Sequence, residues 1–109
     1  MPKYLFQGSY SLEGVKGLLK DGGSKRRAVA QQAMQSVGGK LEAFYFAFGK
    51  HDVVGIADVP DNASIAAASL TIAASGAFRI RTTVLLTPEE VDEAAKKTIK
   101  YTPPGASGS

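Results

Sequence analysis

Apolar residues along this chain recur with two different periods, and the switches between them lay out eight elements. Lys3 to Gly8 reads as a short strand. After it Leu12, Val15, Leu18 and Leu19 return at helical spacing, with Ser11 placed to cap that helix. Gly22-Gly23 breaks the pattern, and Ser24 is positioned to cap a second helix striped by Ala30, Ala33, Met34 and Val37. Gly38-Gly39 ends it, as glycine does where a helix must turn through a left-handed residue. Leu41 to Phe48 and Val53 to Val59 then form two apolar strands around a short turn. Asp61 or Asn62 caps an alanine-rich helix, Ala63 to Ser75, stopped by Gly76. Phe78 to Leu86 is a fourth strand, with Ile80, Thr82, Thr83 and Val84 favouring extended backbone.

Thr87-Pro88-Glu89-Glu90 is the strongest local signal. Threonine at the cap, proline at the first helical position and glutamate at the third satisfy orphan backbone donors reciprocally, so a last helix starts there. Its apolar side is Val91, Ala94, Ala95 and Ile99. Residues 1–101 make one domain, and 102–109, rich in Pro, Gly and Ser, read as an extended tail. Strand, helix, strand occurring twice predicts an α+β fold. It is the ferredoxin-like βαββαβ arrangement: a four-stranded antiparallel sheet, helices on one face, and an extra C-terminal helix.

The strand patterns carry a second consequence. Phe44, Phe46 and Phe48 alternate with Leu41, Ala43, Tyr45 and Ala47, while Val54 and Ile56 alternate with Val53, Gly55, Ala57 and Val59. Both faces of the sheet are therefore apolar, although helices cover only one. The uncovered face predicts a homo-oligomer, a dimer in its simplest form, with sheets facing each other. The alternative is a monomer whose C-terminal segment folds back over part of that face.

Composition narrows the chemistry. The chain of 109 residues holds no cysteine, which removes disulfides, thiolate metal sites and thiol catalysis and fits a reducing cytoplasm. No leader is visible and no apolar run approaches bilayer length, so a soluble cytoplasmic protein without a membrane partner is expected. The first 54 residues carry eight basic and four acidic side chains and the remainder balances to −1. That asymmetry is too mild to predict nucleic-acid binding.

Three places bear candidate chemistry. The turn Gly49, Lys50, His51, Asp52 contains the only histidine, a group able to shuttle protons or ligate a metal near neutrality. Adjacent strand positions point to opposite faces, which argues against a His51–Asp52 dyad, and a lone histidine predicts no metal site. The plain reading is a hairpin turn in which Asp52 accepts backbone hydrogen bonds. Arg79 and Arg81 share one face of the fourth strand, opposite Phe78 and Ile80. Two neighbouring guanidinium groups can grip a carboxylate or phosphate, unless Glu42 or Asp58 pairs with them. Ser24, Lys25 and Arg26 put positive charge at a helix N-terminus, against the helix dipole, where an anion or an acidic side chain would relieve it.

A further pattern runs through Tyr4-Leu5-Phe6, Glu13-Gly14-Val15-Lys16-Gly17-Leu18, Gly22-Gly23-Ser24-Lys25-Arg26 and Gly38 to Phe46. With Gly49 to Asp52, Pro60-Asp61-Asn62 and Thr83 to Glu90, these segments make the chain resemble the GYD domain family. His51 stands where the family signature, Gly-Tyr-Asp, has tyrosine. The resemblance implies a bacterial protein of the dimeric ferredoxin-like α+β barrel type. Two functions follow as expectations. One is a non-catalytic oligomeric module that assembles or binds a small organic or anionic ligand through Tyr45, His51, Arg79 and Arg81, without a cofactor. The other is a cofactor-independent monooxygenase- or isomerase-like enzyme using His51 or Tyr45 as base in an apolar site between subunits.

Overall fold

A computed structural model describes residues 1–106; the last three positions of the expected tail lie outside the described residues. The order is β1 (Lys3–Tyr10), α1 (Leu12–Asp21), α2 (Gly23–Ser36), β2 (Lys40–Phe46), β3 (Val53–Asp58), α3 (Asn62–Ala74), β4 (Phe78–Leu85) and α4 (Pro88–Ala95). The strands form one open sheet in the order β2-β3-β1-β4, with every neighbouring pair antiparallel. This is the expected ferredoxin-like α+β arrangement with an extra C-terminal helix.

Local signals explain most boundaries. The Ser11 side chain accepts from Gly14 N, and Asp61 accepts from Ser64 N at 2.8 Å, so both capped helices start where a side-chain oxygen satisfies a free donor. The capping box of α4 is complete, with Thr87 N donating to Glu90 Oε1 at 3.0 Å and Glu90 N to Thr87 Oγ1 at 3.1 Å. Ser24 does not cap α2. Gly22 does, at φ +83°, ending α1 and opening α2 without any side-chain hydrogen bond, and Ser24 lies inside the first turn. The strand β1 continues two residues beyond Gly8 because β4 pairs with it as far as Tyr10↔Phe78.

The core lies between the sheet and α2 and α3. Tyr4, Phe6, Met34, Val53, Ala57, Val59, Ile65 and Ala68 are buried there, with Phe44, Phe78 and Ile80 packed against them. The alternation of β2 departs from expectation at one point. A bulge between Leu41 and Ala43 lets Leu41 pair with Ala57 and Phe44 with Gly55, so Leu41 and Phe44 both face the helices rather than opposite sides. Phe48 lies beyond the strand and is fully exposed. The open face presents Leu5, Val54, Ile56 and Leu85, each half-buried by its neighbours alone. The C-terminal segment does not fold back over it, because every residue from Leu86 to Ala106 is exposed.

One end of that face is closed by charge. Lys3 Nζ donates to Glu42 Oε2 at 2.7 Å and to Asp58 Oδ1 at 2.8 Å. The Lys3 hydrogen bond holds the Asp58 carboxyl below its ordinary range, against an opposing contribution from burial. A depressed carboxyl stabilises the fold above its unfolded pKa, near 4, and that contribution disappears as the pH falls through the folded value. Wild type is therefore expected to lose stability more steeply than Asp58→Asn between about pH 5 and pH 3 in urea titrations. Parallel pH profiles would contradict the assignment.

Candidate functional site

The opposite end of the sheet, where β1 finishes and β4 begins, holds an open groove of about 650 Å³. Its walls include Ser9, Tyr10 and Ser11 from the end of β1, Lys50 and His51 from the β2–β3 turn, and Arg79 and Arg81 from β4. Ala73, Phe78 and Ile80 supply apolar surface. The register explains the convergence. The pairs Ser9↔Arg79 and Gln7↔Arg81 bring the two arginines beside β1, and Asp52 N donates to Gly8 O at 2.8 Å, which ties the turn to the same end.

The turn is built by Asp52. Its Oδ2 accepts from Tyr10 N at 3.0 Å and its carbonyl accepts from Ala47 N at 2.8 Å. The carboxylate thus serves the backbone, as expected, and is not directed to His51. His51 is half-buried on the groove wall next to exposed Lys50.

Arg79 and Arg81 are exposed on the open face, with Phe78 and Ile80 on the helix side as expected. Glu42 and Asp58 are occupied by Lys3 at the far end of the sheet. Among the described residues neither arginine forms an ion pair. Two guanidinium groups two residues apart on one strand face stand about 7 Å apart at the backbone, a spacing from which both can reach one anion.

Tyr45 does not join this group. It is 67% exposed on the edge strand β2 and borders a separate surface hollow with Arg27, Gln31 and Glu42. Lys25 and Arg26 have an internal counter-charge, since Asp21 lies 3.6 Å from Lys25 Nζ and 3.7 Å from an Arg26 guanidinium nitrogen. Arg26 also borders a small pocket, about 90 Å³, between α2, α3 and the sheet, together with Tyr10, Met34, Phe44 and Ile72. Burial raises the Tyr10 phenol above its ordinary value, and Arg26 nearby opposes that rise.

Lys50, Ser9 and Ser11 are groove residues that sequence reasoning does not single out. The usable signal for Lys50 is its place beside His51 in a turn anchored by Asp52. Among the described residues no group of His, Asp and Glu is arranged to hold a metal ion, and no helix is long and apolar enough to cross a membrane.

Comparison with protein-family models matches the GYD domain over residues 4–95. No curated protein and no solved structure matches the chain.

Proposed function

The chain belongs to the GYD domain family, and we propose that it is a non-catalytic, oligomeric module that binds a small organic anion in the groove at the start of β4. The observation that carries this reading is the pair Arg79 and Arg81, which form no ion pair among the described residues and line one groove with Lys50 and His51. The cationic groups suit a carboxylate or phosphate, which arginine binds through paired hydrogen bonds. The apolar lining from Ala73, Phe78 and Ile80 suits the body of a small molecule, and the groove volume lies in the range of such sites, about 300–1,000 Å³. A binding role is favoured over an enzymatic one because Asp52 is taken up by Tyr10 N, which leaves His51 without its neighbouring carboxylate as a proton relay. Association through the open sheet face is part of the reading, supported by the uncovered Leu5, Val54, Ile56 and Leu85.

Thermal melts across a panel of small organic carboxylates and phosphates test it. A ligand present at about 100 times its Kd adds about 2.7 kcal/mol of stability, which raises Tm by on the order of 10 °C in a domain of this size. Arg79→Gln/Arg81→Gln is expected to weaken binding about a hundredfold or more and so to remove most of that rise, since each charge-assisted hydrogen bond contributes about 1.5–3 kcal/mol. A panel without any stabilising compound, or a double variant that responds like wild type, would sink the proposal.

A further inference from the structure

Two amphipathic helices in this molecule present apolar stripes to water. The first is α4, which buries no residue although its capping box fixes where it starts. Val91 is 52% exposed, and the flanking Leu86, Ile99 and Tyr101 are exposed as well. The segment projects from the body, giving extents of 64 × 30 × 23 Å and a radius of gyration of 17.9 Å. A compact domain of this length has a radius of gyration of about 13 Å. A helix of eight residues has too few turns to be stable alone in water, so α4 needs a surface to lie on.

The second is α1. Gly14 packs it onto the fold, with no room for a side chain against the Ala77 carbonyl. On its outer side Leu12, Val15 and Leu19 line up at helical spacing with exposures of 70%, 39% and 80%. Charge complements the match. The first turns of α4 carry Glu89, Glu90, Asp92 and Glu93, while α1 and the start of α2 carry Lys16, Lys20, Lys25, Arg26 and Arg27. Asp21 and Glu13 offset only part of that positive charge.

The two stripes of one chain are badly placed for each other. The α1 helix begins beside Ala77, where Ser11 N donates to Ala77 O, and α4 follows Leu85 at the other end of β4. That strand spans about 23 Å, whereas the connection Leu86-Thr87 covers only about 7 Å. We propose that α4 docks on the α1 stripe of a second copy of this chain. Reciprocal exchange would form the contact twice in a two-fold dimer and cover both apolar stripes. The contact lies on the helix layer and does not depend on the anion groove.

The absence of cysteine allows a direct test. Leu19→Cys and Val91→Cys, both at exposed positions, are made as separate single variants and mixed at equal concentration with a short flexible thiol crosslinker. The expected product is a covalent dimer joining one variant to the other, several-fold more abundant than either variant joined to itself. No crosslinked dimer, or equal amounts of mixed and self-joined product, would overturn the proposal. So would efficient, concentration-independent closure within single chains carrying both substitutions, which would place α4 on its own body.

Discussion

Phe6→Ala is expected to lower the free energy of unfolding by about 3–5 kcal/mol, the upper range for loss of a buried aromatic ring. Phe6 is 4% exposed and lies at the centre of the sheet, where β1 is flanked by β3 and β4. Its ring fills the space left by Gly55, at which an added Cβ would fall 2.2 Å from the ring, and it meets Phe44 with centroids 6.4 Å apart. The ring also borders a small pocket of about 90 Å³ between α2, α3 and the sheet, so its removal widens a space that is already there. Urea denaturation measures the cost. A loss below about 1.5 kcal/mol would mean that α2 and α3 collapse into the space and that the core is less rigid than its packing indicates.

Gly8→Ala is expected to cost about 2–3 kcal/mol for the opposite reason, overpacking. An added Cβ would lie 2.3 Å from the Arg79 carbonyl oxygen and 2.4 Å from two carbons of the Phe78 ring. The ring can tilt, but the carbonyl belongs to β4, so the strand must move, and Arg79 and Arg81 move with it. The variant is therefore expected to lose affinity for a groove ligand as well as stability, although Gly8 is not one of the groove residues. Retained stability, within about 0.5 kcal/mol of wild type by urea denaturation, would show that β1 and β4 separate there without strain.

Features set by neighbouring residues were legible in the sequence. The Thr87–Glu90 box, the Ser11 cap, a cap at Asp61 or Asn62 and the βαββαβ order each follow from contacts within a few positions, and the structure selects Asp61. Features set by distant contacts were not. The extension of β1 to Tyr10 depends on β4, some 70 residues later along the chain. The bulge after Leu41 interrupts a regular alternation only once, and it exists because Leu41 and Phe44 both have places in the core against β3. Ser24 looked like a cap because its residue type favours one, yet the positive φ of Gly22 already ends one helix and opens the next.

The site was legible in parts. His51, Arg79 and Arg81 are noticeable by type, but what groups them is the antiparallel register that lays Ser9 beside Arg79, together with the Asp52 N–H bonded to Gly8 O. Tyr45 carries an equally suggestive phenol, but β2 lies two strands away from β1, at the far edge of the sheet. The amphipathic character of α4 was equally readable. That none of the described residues covers it depends on where β4 ends.

The proposed function rests on an organic anion binding in the groove at the start of β4. Its most direct test is a map of backbone amide shifts during titration with the best stabiliser from the carboxylate and phosphate panel. Saturable shifts centred on Ser9, Lys50, His51, Arg79 and Arg81 are expected, and they are lost in Arg79→Gln/Arg81→Gln. Shifts centred instead on Ala33, Met34 and Ile72, around the small pocket between α2 and α3, or unchanged saturation in the double variant, would overturn it.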